Sequence, residues 1–151
     1  MSQKELRCWK KVFESDLPYV ISELKESVTR PAMLILSGEM GVGKTTFAKI
    51  FATDGTLQSP SYSVLSMTPT IAHADLYRIK DPEEVVHLEL TLYLENKDYF
   101  LVEWGKRYLS SLFREVDERF TTYELMIEFN NKSANPSLRD YFLLKLDRNN
   151  F

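Results

Sequence analysis

Residues 38 to 46 read Gly-Glu-Met-Gly-Val-Gly-Lys-Thr-Thr, and three of the chain's five glycines lie among them. The spacing Gly-x-x-x-x-Gly-Lys-Thr is that of a phosphate-binding loop. Gly38, Gly41 and Gly43 let the backbone turn through conformations closed to other residues. Successive N–H groups along Glu39, Met40 and Val42 can then face phosphate oxygens. Lys44 is expected to reach the β- and γ-phosphates and the Thr45 hydroxyl to help hold Mg2+. Thr46 suits the α-phosphate, and the helix that follows adds unpaired N–H groups and the positive end of its dipole. At ordinary glycine usage the pattern arises by chance in about half a percent of chains this long. Its position between a strand-like and a helix-like segment therefore decides for nucleotide binding. No base-reading motif separates ATP from GTP.

Such a loop works with a carboxylate at the end of a neighbouring strand, which holds the metal or orients water. Glu103 ends the apolar run Phe100-Leu101-Val102, and Asp75 ends Thr70–Asp75; both fit the carboxyl edge of a parallel sheet, where ligands bind. Which of the two serves the metal and which the water is open. Each taken alone also reads as a solvated strand-end carboxylate. Ser59-Pro60-Ser61-Tyr62 follows the loop's helix, where a hydroxyl-bearing segment closes over the γ-phosphate in many nucleotide switches. An ordinary turn before a strand is the competing reading.

These residues need elements to hold them. Residues 32–37 (AMLILS) and 99–104 (YFLVEW) are short apolar runs, as in strands buried on both faces. Helices are expected over 15–28, capped by Ser15 or Asp16 with Pro18 in the first turn, and over 44–52, ending at Asp54-Gly55. Two more are expected over 81–90, opened by Asp81-Pro82-Glu83-Glu84, and over 106–116. Residues 61–67 and 70–77 read as a hairpin around Thr68-Pro69, and 122–129 with 139–146 as an antiparallel pair. The segment KELRCWKKVF (4–13) reads equally as an edge strand or as part of a partner surface. The sum is one α/β domain over 1–151 with the P-loop NTPase fold: a mixed sheet, parallel at its centre and antiparallel at its edges, flanked by helices.

Composition narrows the function classes. Hydrophobic residues make up 44% and charged residues 27%, as in a globular protein. No apolar run is long enough for a bilayer span, and residues 1–16 lack the continuous apolar core of a secretory signal. The single cysteine, Cys8, excludes an internal disulfide and fits a reducing cytoplasm. A net charge of −3 argues against strong direct binding of tRNA or other nucleic acid.

GEMGVGKTTFAK, SPSYSVL, HADLYRIKDPEEV and FLVEWGKR resemble, in this order, the blocks of the TsaE (YjeE) family of small P-loop ATPases. The resemblance runs from about residue 34 to 107, and the block His73-x-Asp75-Leu76-Tyr77-Arg78 is its most specific part. It implies a Mg2+-dependent ATPase that supports a TsaD–TsaB pair in forming threonylcarbamoyladenosine on tRNA. By the same resemblance, Gly38 through Thr46 would hold ATP, Ser61 would stand at the switch position, and Asp75 and Glu103 would serve the metal and the attacking water. Tyr77 and Trp104 would pack near the nucleotide or in the core. Arg78 would touch phosphate or pair with the helix that begins at Asp81. His73 would shape the site through a hydrogen bond or, on the blander reading, be a satisfied structural histidine, and His87 is read as merely helical. Two departures stand out: a short stretch over 54–58, and Gly105-Lys106-Arg107 where the family often has proline and an acidic residue. No arginine finger is evident, so the isolated chain is expected to be slow. A P-loop kinase acting on a metabolite and a nucleotide-gated binding module are the rival readings.

Overall fold

The structure, a computed structural model, describes residues 4–52 and 64–150. Among the described residues, seven strands form one sheet: β1 (Lys4–Val12), β2 (Ala32–Ser37), β3 (Leu65–Met67), β4 (Ile71–Asp75), β5 (Tyr99–Glu103), β6 (Thr121–Phe129) and β7 (Arg139–Leu146). They run in the order β1-β7-β6-β2-β5-β4-β3. β2 is parallel to both β5 and β6, and β4 is parallel to β5. The two ends are antiparallel: β3 pairs with β4, while β7 and then β1 extend the sheet beyond β6. This is the parallel centre with antiparallel edges that the sequence pattern predicts.

The apolar run of β2 is continuous because both of its faces are covered. Ala32 to Leu36 are all fully buried. Leu34 and Leu36 meet Leu24 of α1 (Leu17–Ser27) and Phe47 and Phe51 of α2 (Lys44–Phe51). Met33 and Ile35 face the other way, onto Val85 of α3 (Pro82–His87), Leu90 of α4 (Leu90–Leu94) and Leu112 of α5 (Leu109–Glu115). Burial on this scale, at about 25 cal/mol per Å2 of apolar surface, is what fixes the strand that carries the phosphate loop.

Two expectations change and one left open is resolved. The segment 81–90 is two helices: Asp81 caps α3 by accepting from the Glu83 N–H at 3.0 Å, but Glu89 stands at φ +54° and stops it. That left-handed residue re-aims the chain so that Leu90 and Leu94 reach the same core as Val85. The segment 106–116 opens with a tight 3-10 turn over Lys106–Tyr108 before α5 begins. The N-terminal segment is an edge strand, β1, whose Trp9 packs inward and donates to Glu23 of α1 at 2.8 Å. Its outward lysines and bulges guard the open edge. The expected helix end at Asp54-Gly55, the start of the 61–67 strand and Ser59–Tyr62 lie outside the described residues.

Candidate nucleotide site

Register brings the candidate residues together. Asp75 and Glu103 are paired across β4 and β5, and Glu103 stands opposite Leu36 on β2, so three strand ends open onto one edge. Residues 38–43 arch over that edge into α2. Their glycines hold the left-handed backbone the loop requires, with φ +83° at Gly41 and +119° at Gly43. Gly38 serves a second need: a Cβ there would collide with the carbonyl oxygen of Ile127 on β6.

A cleft of about 340 Å3 lies beside the loop, lined by Lys44, Thr45, Thr46, Asp75, Glu103 and Trp104 together with Met40, Gly41, Gly43 and Tyr77. Lys44 is buried, and its ammonium donates to the carbonyls of Gly38 at 2.7 Å and Glu39 at 3.1 Å. It also sits 4.2 Å above the Trp104 ring. Burial lowers its pKa from the ordinary lysine value, and the charges of Glu103, Asp75 and Glu39 oppose that shift. A polyphosphate entering the cleft would offer this ammonium stronger acceptors than two neutral carbonyls.

Glu103 is 2% exposed, and each of its oxygens has a partner. The Thr45 hydroxyl donates to Oε1 at 2.7 Å, and Nε2 of His73 lies 2.6 Å from Oε2. With its proton on Nε2, His73 donates to the carboxylate, while its Nδ1 is buried without a partner. Of the two sequence readings of His73, the structure matches the one that shapes the site through a hydrogen bond, while the unpartnered Nδ1 corrects the reading of a satisfied structural histidine. A period-two signal was available, since His73 and Asp75 share the face of β4 that meets Glu103. Asp75 is half-buried and accepts from the Tyr77 N–H at 3.0 Å. Tyr77 in turn packs on Trp104 at 5.1 Å. Arg78 is exposed and makes neither a phosphate-side contact in this cleft nor an ion pair with α3. Ser61 lies outside the described residues.

Could these residues hold Mg2+? The Thr45 hydroxyl and the Glu103 carboxylate already meet, and Asp75 borders the same cleft. These are hard oxygen donors, and few of them, which suits an ion that keeps several waters and binds phosphate oxygens. No cage of three or more His, Cys, Asp or Glu side chains occurs among the described residues. The donor set fits Mg2+ shared with a phosphate.

A second cleft, about 150 Å3, also borders Gly41, Gly43 and Thr46 and extends to Glu14, Ser137 and Arg139. Arg139, at the start of β7, donates from Nε to the Val42 carbonyl at 2.9 Å. The C-terminal hairpin thus braces the phosphate loop, a role that no motif around Arg139 signals.

Residues 14–139 match the family described as threonylcarbamoyl adenosine biosynthesis protein TsaE. The chain belongs to the TsaE family. It is 30% identical over 92 residues to the tRNA threonylcarbamoyladenosine biosynthesis protein TsaE of Haemophilus influenzae, covering 56% of this chain and 58% of that one. Against the protein of the same name from Rickettsia bellii it is 40% identical over 83 residues, covering 49% of this chain and 57% of the relative. The chain thus spans little more than half the length of these curated relatives. The crystal structure of Bacillus subtilis YdiB aligns with a TM-score of 0.57 at 21% identity, over 99% of this chain and 90% of that one. That likeness carries the fold. Family membership extends the sequence resemblance, which runs from residue 34 to 107, outward to the segments bearing Glu14 and Arg139.

Proposed function

We propose that this chain binds Mg-ATP at residues 38–46 and hydrolyses it, in support of a TsaD–TsaB pair that forms threonylcarbamoyladenosine on tRNA. The observation that carries the reading is the convergence on one cleft of Lys44, Thr45 and the buried pair Glu103–His73. Family membership supplies the process.

In this reading Lys44 leaves the Gly38 and Glu39 carbonyls to bind β- and γ-phosphate oxygens. Loop N–H groups hold the β-phosphate, and Thr46 holds the α-phosphate. Thr45, Asp75 and Glu103 are the residues that would hold Mg2+, which when bound neutralises charge developing on the phosphates. A carboxylate of the Asp75–Glu103 pair orients the attacking water. His73 fixes the rotamer of Glu103, and Trp104 covers Lys44 and keeps bulk water from its ammonium. Ser61 stands at the switch position. The ribose and base leave the loop on the side of Glu14, Ser137 and Arg139. No arginine lines the cleft among the described residues. Lacking such a group lowers turnover by about 10³–10⁵, so the chain is slow alone and its partners speed it.

The test is phosphate release from Mg-ATP by the chain alone and then with TsaD–TsaB, beside Lys44→Ala and Glu103→Ala. Stimulation that both substitutions abolish is the expected result. Turnover of tens per second by the isolated chain would refute the coupling. Binding without release, even with the partners present, would leave a nucleotide-gated binding module, and phosphate transfer to a nucleoside or sugar would make the protein a kinase.

A further inference from the structure

Behind the phosphate loop, on the sheet face opposite α2, lies a carboxylate that the reading above does not use. Glu124 of β6 is fully buried, opposite Ile35 of β2. Its Oε2 accepts from the Ser37 hydroxyl at 2.6 Å and pairs with the Lys106 ammonium at 3.2 Å, while its Oε1 has no partner. A carboxylate in an apolar layer is unfavourable unless paired, and well-packed apolar residues often do better for stability. Folding alone gives little reason for it.

Its two partners suggest the reason. Ser37 is the last residue of β2, and the next residue, Gly38, supplies the carbonyl that holds Lys44. Lys106 follows Glu103, Trp104 and Gly105, the turn that leaves the catalytic end of β5. That turn carries strain: Trp104 stands at φ +60°, a conformation unfavourable for a bulky residue. Gly105 is so tightly packed that a Cβ would lie 2.6 Å from Val102 Cγ1. Strain of this kind persists only where flanking contacts hold it. Glu103 and Leu76 hold one side through the Leu76 N–H to Glu103 carbonyl bond at 3.0 Å, and Lys106 reaches Glu124 on the other. Lys106 also belongs to the Gly-Lys-Arg stretch that departs from the family pattern.

We propose that Ser37, Glu124 and Lys106 form a positioning strut that sets the phosphate loop against the Glu103–Trp104 turn. It tunes nucleotide affinity without touching the nucleotide. The strut rests on the Mg-ATP reading of the cleft, so its test separates the two.

Mg-ATP dissociation constants and thermal midpoints are measured for the wild type, Glu124→Leu, Glu124→Gln and Ser37→Ala. Leucine fills the space and removes the strut, so Glu124→Leu should keep or raise the midpoint while weakening Mg-ATP binding about 3- to 10-fold. Glutamine keeps an acceptor oxygen for Ser37 and Lys106 and should restore affinity to about twofold of wild type. Ser37→Ala, which alters only a small half-buried side chain, should show the same direction of loss should the leucine variant fail to fold. A residue that merely filled the core would shift the midpoint and leave affinity unchanged. Leucine and alanine variants that bind Mg-ATP within twofold of wild type would overturn the strut alone. A wild-type protein that binds no Mg-ATP would overturn the nucleotide reading, and the strut's role with it.

Discussion

Two buried carboxylates flank β2, Glu103 on β5 and Glu124 on β6, and they are held in opposite ways. Glu103 shares its two oxygens between a hydroxyl, that of Thr45, and an imidazole, that of His73, and borders the cleft. Glu124 crowds a hydroxyl and a cation onto one oxygen, leaves the other bare, and is fully buried. A hydroxyl can turn aside when a metal or a water arrives at the cleft, whereas a buried carboxylate paired with an ammonium resists exchange because separating the pair strands a charge. One arrangement suits chemistry and the other suits position. Glu→Gln at the two sites therefore tests the contrast with a single change of atom type.

At Glu103 that change has the largest expected effect. Glu103→Gln keeps the shape and removes the charge and basicity, so partner-stimulated phosphate release should fall about 10²–10⁴-fold. A drop below tenfold would move the main role to Asp75. Next comes the joint between the two networks, Gly38, which follows Ser37 and holds Lys44. Gly38→Ala drives a Cβ onto the Ile127 carbonyl, and urea unfolding should report a loss of about 2–4 kcal/mol. Gly41→Ala, with nothing within 4 Å of its Cβ, should lose only about 1–2 kcal/mol from its left-handed backbone. Equal losses would mean that backbone conformation, and not the approach of β6, governs the loop. His73→Asn then removes one partner of Glu103 without entering the cleft. Turnover should fall about 10- to 100-fold, as for other residues that orient a ligating side chain, with Mg-ATP affinity little changed. An unaltered turnover number would show that Thr45 alone orients Glu103.

The sequence made one side of this comparison legible and hid the other. The phosphate loop, the strand ends at Asp75 and Glu103 and the parallel centre follow from local pattern: glycine spacing, apolar runs and carboxylates at their ends. The second network is non-local. Ser37, Lys106 and Glu124 are spread over 88 positions and meet through the parallel pairing of β2 with both β5 and β6, which no short motif encodes. Glu124 even reads as an outward residue, because the alternation in TYELMIEF looks like that of a half-solvated strand. Likewise Arg139 reaches Val42 from a residue 97 positions away, and Glu89 breaks a helix that its capping residues predict as continuous. Spacing reports chemistry that neighbours in the chain perform together, and register reports the rest.

The smallest effect is expected at the exposed end of the strut, where the contrast can be sharpened. The Lys106 side chain is 57% exposed, so water screens its half of the pair, whereas Glu124 has no such recourse. Lys106→Met should therefore cost less than the 3–5 kcal/mol typical of breaking a fully buried pair, about 1–2 kcal/mol, and that loss should shrink in high salt because salt already weakens the pair in the wild type. Adding Glu124→Leu to Lys106→Met removes the stranded charge as well, so the double variant should regain the lost stability while keeping the weak nucleotide binding of Glu124→Leu. Stability measured by urea unfolding and affinity measured on the same samples would then move apart. Were the double variant to recover both together, the strut would be a repair of buried charge with no hold on the phosphate loop.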